Sequence, residues 1–150
     1  MRLRLTKRTD YAIRACLHLA TEQRCPISSR RIAEQMGIPG RFLPQIMTGL
    51  SRAGIVEGLS GNNGGYCLRR DPADISLLEL IEVHDGSGLR EGAMGGTPCD
   101  GDPAGAFHAV WTEAQAAFID VLAGASIAEL AARQRATETN GHVRPERTGR

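Results

Sequence analysis

SSRRIAEQMGIPGRFLPQIMTGLSRAGIVEGLSGNNGGYCL, residues 28–68, carries the pattern of two short helices followed by a hairpin. Ser28 and Ser29 offer an N-cap, and Ile32, Ala33 and Met36 then recur at helical spacing. Gly37 stands four residues after the small Ala33 and can take the left-handed conformation that ends a helix. Ile38-Pro39-Gly40 makes the turn. Leu43, Ile46, Met47 and Leu50 line the buried side of a second helix, and Pro44 sits in its first turn, where a missing backbone donor costs little. Gly54 closes that helix. Ile55-Val56 and Tyr66-Cys67-Leu68 read as short strands around the tip Ser60-Gly61-Asn62-Asn63-Gly64-Gly65, which a hairpin explains well. Helix, turn, helix, hairpin is the order of a winged helix-turn-helix, whose second helix is placed to enter a major groove.

Working outward, charge divides the chain in two. Residues 1–70 hold 12 Lys/Arg against 4 Asp/Glu, a net +8, while residues 71–150 hold 6 against 13, a net −7. A basic half built around a helix-turn-helix points to a polyanionic partner, and the acidic half is turned away from it. Taken alone, the division would mean only a polarised solvated surface. No apolar run approaches a membrane span, and Met1-Arg2-Leu3-Arg4-Leu5 is not a signal peptide, so a cytoplasmic protein without a membrane partner is expected. Cys16, Cys25, Cys67 and Cys99 are scattered without a CxxC pair, which predicts thiols rather than a disulfide framework.

Before the central stretch, Thr6-Lys7-Arg8-Thr9-Asp10 opens a helix whose apolar positions are Ala12, Ile13, Cys16, Leu17 and Ala20. Lys7 and Arg8 oppose its macrodipole, a cost that phosphate binding would offset. After the wing, Ser76-Leu77-Leu78-Glu79 is a capping box for a short helix burying Leu77, Leu80 and Ile81. Residues 86–105 hold seven glycines and two prolines without apolar periodicity, a long loop that is either functional or disordered. Asp102-Pro103 restarts helix. Phe107, Val110, Trp111, Ala114, Phe118, Val121 and Leu122 then form a stripe suited to a partner helix from a second subunit, the alternative being packing on its own domain. Ser126-Ile127-Ala128-Glu129 caps a closing helix, and residues 133–150 read as a disordered tail. The expected architecture is mainly α with a small β-hairpin wing. It divides into a winged domain over 1–85, a Gly-rich sensor or cofactor loop over 86–105, a dimerisation helix with its closing helix over 106–132, and the tail over 133–150.

LTKRTDYAIRACLHLA, IAEQMGIPGRFLPQIMTGLSRAGIV, GNNGGYCL, DPADISLLELIEVHDG, HAVW and SIAEL together resemble the IscR/NsrR-type family of bacterial winged-helix transcription regulators. The pieces keep their order from Met1 to Ala131. The resemblance implies a homodimer crossed through the long helix, binding a pseudo-palindromic operator on double-stranded DNA, as repressors of the family do. It also implies an iron–sulfur cluster in the 86–108 region, of the 2Fe–2S rather than the 4Fe–4S type. Many relatives carry three cysteines in that loop, some a histidine three residues before the tryptophan, and some a carboxylate near the start of the partner's first helix. In this chain the matching metal ligands are Cys99, His108 and Asp10. Two thiolates are missing from a chemistry that rests mainly on thiolates. Asp100, Asp102, Glu91 and His84 are further candidates. Against the ligand set stand a polar role for His108, a helix-dipole role for Asp10 and a thiol switch at Cys99, whose acidic neighbours disfavour the thiolate.

DNA-reading residues follow from the helix geometry. Arg41, Gln45 and Thr48 are expected on the second helix of the motif, away from its core face, where Arg reads guanine and Gln adenine by paired hydrogen bonds. Lys7, Arg8, Arg30, Arg31 and Arg52 read as phosphate contacts, with a solvated surface charge the equal alternative for Arg31 and Arg52. Relatives often place an arginine before the wing glycine. Ser60 stands there here, leaving Asn62 and Asn63 for the minor groove. An enzyme is not expected, since no nucleophile elbow or phosphate cradle is present. A winged scaffold that binds protein instead of DNA is the other class left open.

Overall fold

The computed structural model describes residues 5–86 and 105–140, with the side chains of 138–140 excepted. The helix α1 spans Lys7–Thr21, α2 Ser29–Met36 and α3 Leu43–Arg52. Strands β1 (Val56–Leu59) and β2 (Gly65–Leu68) pair antiparallel, Val56 opposite Leu68 and Leu59 opposite Gly65. A 3-10 turn at Pro72–Asp74 leads to α4 (Leu77–Asp85), followed by α5 (Ala106–Gly124) and α6 (Ile127–Asn140).

Local signals set most of these boundaries. Thr6, Ser28, Ser76 and Ser126 each accept a backbone N–H three residues on, at 3.1–3.3 Å, and each cap contributes about 1 kcal/mol. Gly37 ends α2 at φ +62° and Gly54 follows α3 at φ +71°. The expected core face of α3 is realised: Leu43, Ile46, Met47 and Leu50 are all buried. They pack with Ala12, Ala15 and Cys16 of α1, Ile32 of α2, Ile55, Val56, Ile75, Leu80 and Ile127. Each such aliphatic side chain contributes roughly 1.5–3 kcal/mol by leaving water.

Four expectations are corrected. The Ser76 capping box is half made. Ser76 takes the Glu79 amide, but the Glu79 carboxylate accepts from Arg70 Nη2 at 2.6 Å, and a charge-assisted partner outcompetes a backbone amide. On α4, Leu78 is buried with Leu80 and Ile81, whereas Leu77 is only half-buried. The closing helix α6 runs to Asn140, eight residues into the stretch read as a tail. Alanine and arginine favour helix there, and Arg133 pairs with Glu129 one turn back.

The fourth correction concerns the cysteines. Cys25, in the exposed loop before α2, is disulfide-bonded to Cys67 on β2, with Cα atoms 5.5 Å apart. Ile27 explains the approach, because its N–H donates to Tyr66 O at 3.0 Å and its carbonyl accepts from Tyr66 N–H at 2.8 Å. The loop thus meets the wing through an isolated antiparallel bridge between Ile27 and Tyr66. A Cβ on Gly65 would collide with the Ile27 carbonyl, so only glycine permits this contact.

Candidate nucleic-acid interface

Most of the predicted DNA-reading residues fall at the start of α1, in the turn before α3, on α3 itself and at the wing tip. Gln45 and Thr48 are exposed on α3, opposite its buried side. Arg8 Nη2 donates to Gln45 Oε1 at 3.3 Å, so α1 and α3 present one continuous polar face. That bond holds the Gln45 amide in place and must open before the same oxygen can face a base. Thr48 Oγ1 donates to Pro44 O at 2.7 Å, leaving its oxygen as an acceptor. Arg52, last in α3, and Lys7, first in α1, are exposed.

Arg41 lies elsewhere than expected. It falls in the turn, two residues ahead of α3, because Phe42 rather than Arg41 occupies the N-cap position. Its guanidinium sits 4.8 Å from the Phe42 ring centroid, and Phe42 in turn stands 6.1 Å from Tyr11 of α1. An exposed cation–π contact of this kind contributes roughly 0.5–1 kcal/mol and orients the charge. This aromatic support does not show in the helical periodicity; its signal in the sequence is the adjacent Arg41-Phe42 pair.

Two arginines of α2 are engaged by carboxylates. Arg30 pairs with Glu34 at 2.8 Å and Arg31 with Glu22 at 3.4 Å. Both pairs are partly or largely exposed and contribute little, so phosphate can displace them. Asn62 and Asn63 are exposed at the turn of the hairpin. From behind, α4 braces α3: a Cβ on Gly49 would lie 3.0 Å from His84 Cε1. Burial lowers the pKa of His84, with Asp85 opposing and Arg8 reinforcing.

The predicted metal ligands are not brought together. Cys99 lies outside the described residues. Asp10 is ion-paired with Arg14 at 2.7 Å, and His108 is exposed on the first turn of α5. Among the described residues no three His, Cys, Asp or Glu side chains form a metal site. Cys16 is buried in the core, and that burial, aided by Glu79, pushes its thiol up to about 12. With Cys25 and Cys67 joined, the described residues offer no available thiolate. They do not fit an iron–sulfur cluster held chiefly by cysteine.

The remaining feature is α5. None of its residues is buried. Phe107, Val110 and Val121 are 62 %, 67 % and 71 % exposed, and Phe118 is 36 % exposed. Trp111, Gln115, Ile119 and Leu122 are half-buried, and Phe107 stacks on Trp111 at 6.2 Å. The half-buried row and the exposed apolar row lie about 100° apart around the helix. No helix among the described residues is long and apolar enough to cross a membrane.

A buried helix-turn-helix core, an outward polar face on α3 and a hairpin beside it define a winged-helix DNA-binding transcription regulator. The family model "Rrf2: Iron-dependent Transcriptional regulator" matches residues 5–133. The chain belongs to the Rrf2 family. It is 32% identical over 133 residues to the HTH-type transcriptional regulator IscR of Xenorhabdus nematophila, covering 88% of this chain and 81% of that protein. With IscR of Photorhabdus laumondii it shares 30% identity over 140 residues, 93% of this chain and 85% of the relative. Among solved structures it superposes on T. potens IscR with a TM-score of 0.69 at 25% identity, covering 95% and 94% of the two chains. It shares the fold of CymR, the global cysteine regulator of B. subtilis, with a TM-score of 0.75 at 24% identity over 88% and 98%. The IscR/NsrR-type resemblance and the mainly α fold with a hairpin wing are thereby established.

Proposed function

We propose that the chain is a cytoplasmic repressor that binds a pseudo-palindromic operator as a homodimer. The observation that carries this reading is the face of α3, which buries Leu43, Ile46, Met47 and Leu50 and turns Gln45 and Thr48 outward beside Arg8 and Arg41. In the complex α3 enters the major groove, with Arg41, Gln45 and Thr48 at base edges. Lys7, Arg8, Arg30, Arg31 and Arg52 engage phosphates, and Asn62 and Asn63 approach the minor groove. The exposed row of α5 packs on the same row of a second copy, and this pairing sets the spacing between two copies of α3. Selection of bound fragments from a random DNA library tests the reading. A single two-fold motif, whose half-sites are about one helical turn apart, is expected. No enrichment at all would remove the regulator and leave a protein-binding scaffold.

The family's description as iron-dependent, with the IscR-type resemblance, supports iron–sulfur sensing as a trait of relatives. In this chain the candidate ligands Cys99, His108 and Asp10 include one thiolate, so no cluster enters the mechanism. Anaerobically purified protein supplied with iron and sulfide is expected to retain neither. Stoichiometric iron and sulfide with charge-transfer absorption would overturn that and restore the 86–108 region as a cluster site.

A further inference from the structure

We propose that Cys25 and Cys67 form a reversible dithiol–disulfide switch that locks the wing to the helix-turn-helix, with a low-molecular-weight disulfide as oxidant. The inference rests on the regulator reading above for its effect on DNA, but not for its chemistry. The pair is separated by 42 residues and joins the lead-in to α2 to strand β2 of the wing. The Cα atoms stand 5.5 Å apart, inside the range a disulfide requires without backbone movement.

Three observations favour a switch over a permanent staple. Ile27 and Tyr66 exchange two backbone hydrogen bonds beside the pair, at 3.0 and 2.8 Å. The two cysteines therefore stay close when the bond is open, and reclosure costs little chain entropy. Cys25 is exposed whereas Cys67 is 5% exposed, which gives the two sulfurs different roles. Lastly, a protein that binds DNA in a thiol-rich cytoplasm cannot keep an accessible disulfide as passive reinforcement, because the thiol pool reduces it.

The chemistry is an exchange. The Cys25 thiolate attacks one sulfur of the small disulfide RSSR and expels RS⁻, leaving a mixed disulfide on Cys25. The Cys67 thiolate then attacks Cys25 Sγ and expels the second RS⁻. Both expelled thiolates take up the protons lost by the cysteines, so two protein thiols and RSSR become one protein disulfide and two RSH. Two electrons pass from the protein to RSSR. Reduction runs the same steps backwards, beginning with attack of RS⁻ on the exposed Cys25 sulfur.

The bond ties β2 of the wing to the lead-in to α2, and so to the helix-turn-helix that meets DNA in the proposed complex. Closing it removes the small freedom that the Ile27–Tyr66 bonds leave and that the reduced protein must lose on binding, so the oxidised form binds DNA more tightly, by roughly two- to three-fold. The test uses the full chain, oxidised glutathione and dithiothreitol. Trypsin digestion without reduction is expected to yield a linked pair of peptides, residues 25–30 with 53–69, after oxidised glutathione and not after dithiothreitol. Affinity for the selected DNA should follow the linkage. Cys25→Ser should hold the protein at the reduced affinity under both conditions, and Cys99→Ser should respond as the parent does. Absence of the linked peptides under oxidant would overturn the pairing, and linkage with unchanged affinity would overturn the switch. A redox response that persists in Cys25→Ser would do the same. Loss of DNA binding in both states alike would defeat the regulator reading and the effect on DNA with it, while the peptide map, which needs no DNA, would still decide the exchange chemistry.

Discussion

The winged unit and α5 are built from similar apolar residues and put them to opposite use. Around α3, Ile32, Leu43, Ile46, Met47 and Leu50 are each at most 1% exposed, within one cluster of buried side chains. Along α5 not one residue is buried, although the helix is richer in apolar side chains than α1 or α2. The difference lies in the number of faces covered. α3 is packed by α1, α2, α4 and β1, while α5 meets α4 along one side. A row of Phe107, Val110, Phe118 and Val121 left in water is the signature of a surface completed by another molecule. One region is finished within the chain, and the other leaves an apolar row open, as the proposed dimer requires.

Charges placed in the exposed row of α5 should break this contrast most sharply. Phe118→Asp combined with Val121→Asp buries two unpaired carboxylates in the proposed seam and nothing in the winged core. Sedimentation should show the parent dimer dissociating completely at micromolar concentration, with the helical circular dichroism of the winged unit kept. A variant that remains dimeric would mean that α5 is not the interface. Truncation in the other region acts on stability instead. Ile46→Ala leaves a cavity among side chains that cannot collapse, and should lower the unfolding free energy by about 2–5 kcal/mol. Denaturant titration that shows a loss under 1 kcal/mol would mean a much looser core than the burial indicates.

Next in size is a contrast inside the winged unit, between residues that read bases and those that hold phosphates. Arg41→Ala should weaken operator binding by roughly 1–3 kcal/mol and relax the preference at one base pair. Lys7→Ala should weaken binding to every sequence alike and reduce the salt slope by about one ion. Because Arg41 stands in the turn and leans on Phe42, Phe42→Leu should reproduce part of the Arg41 loss without removing any charge. Identical, sequence-blind losses from Arg41→Ala and Lys7→Ala would reduce Arg41 to one more phosphate contact.

Much of the winged unit could be read from the sequence because its signals are local. Ser28 and Gly37 bracket α2, Leu43, Ile46, Met47 and Leu50 repeat at helical spacing, and Gly-rich residues join two short strands. What escaped depends on distant partners. Nothing near Cys25 announces Cys67, because the backbone pairing of Ile27 with Tyr66 that aligns them spans the whole helix-turn-helix. Glu79 looked like the second half of a capping box until Arg70 folded back to take it. Arg41 falls outside α3 because Phe42, which stands 6.1 Å from Tyr11, takes the N-cap position and the helix begins at Leu43. Of the candidate site, the outward residues Gln45 and Thr48 were legible from their phase against the core. The ligand set was not, since Cys99 lies outside the described residues, Asp10 is engaged by Arg14 and His108 stands exposed on the first turn of α5.

The smallest expected effect is one of pH, and it belongs to the finished region alone. His18 of α1 is 6% exposed, and its pKa is lowered by burial, with Glu22 opposing and Arg31 reinforcing. His84, against Gly49 of α3, is lowered for the same leading reason. Folding therefore holds both rings neutral at a pH where the unfolded chain, with an ordinary value of 6.5, already takes up protons. Stability is full above 6.5 and is lost as the pH falls from there through the lowered folded values, below which the loss levels off. Thermal melts of the parent between about pH 7.5 and pH 5.5 should show a falling midpoint. His18→Gln with His84→Gln should flatten that dependence, since the amides cannot take up protons. A slope equally steep in the double variant would assign the effect to other groups and leave both imidazoles as ordinary core spacers.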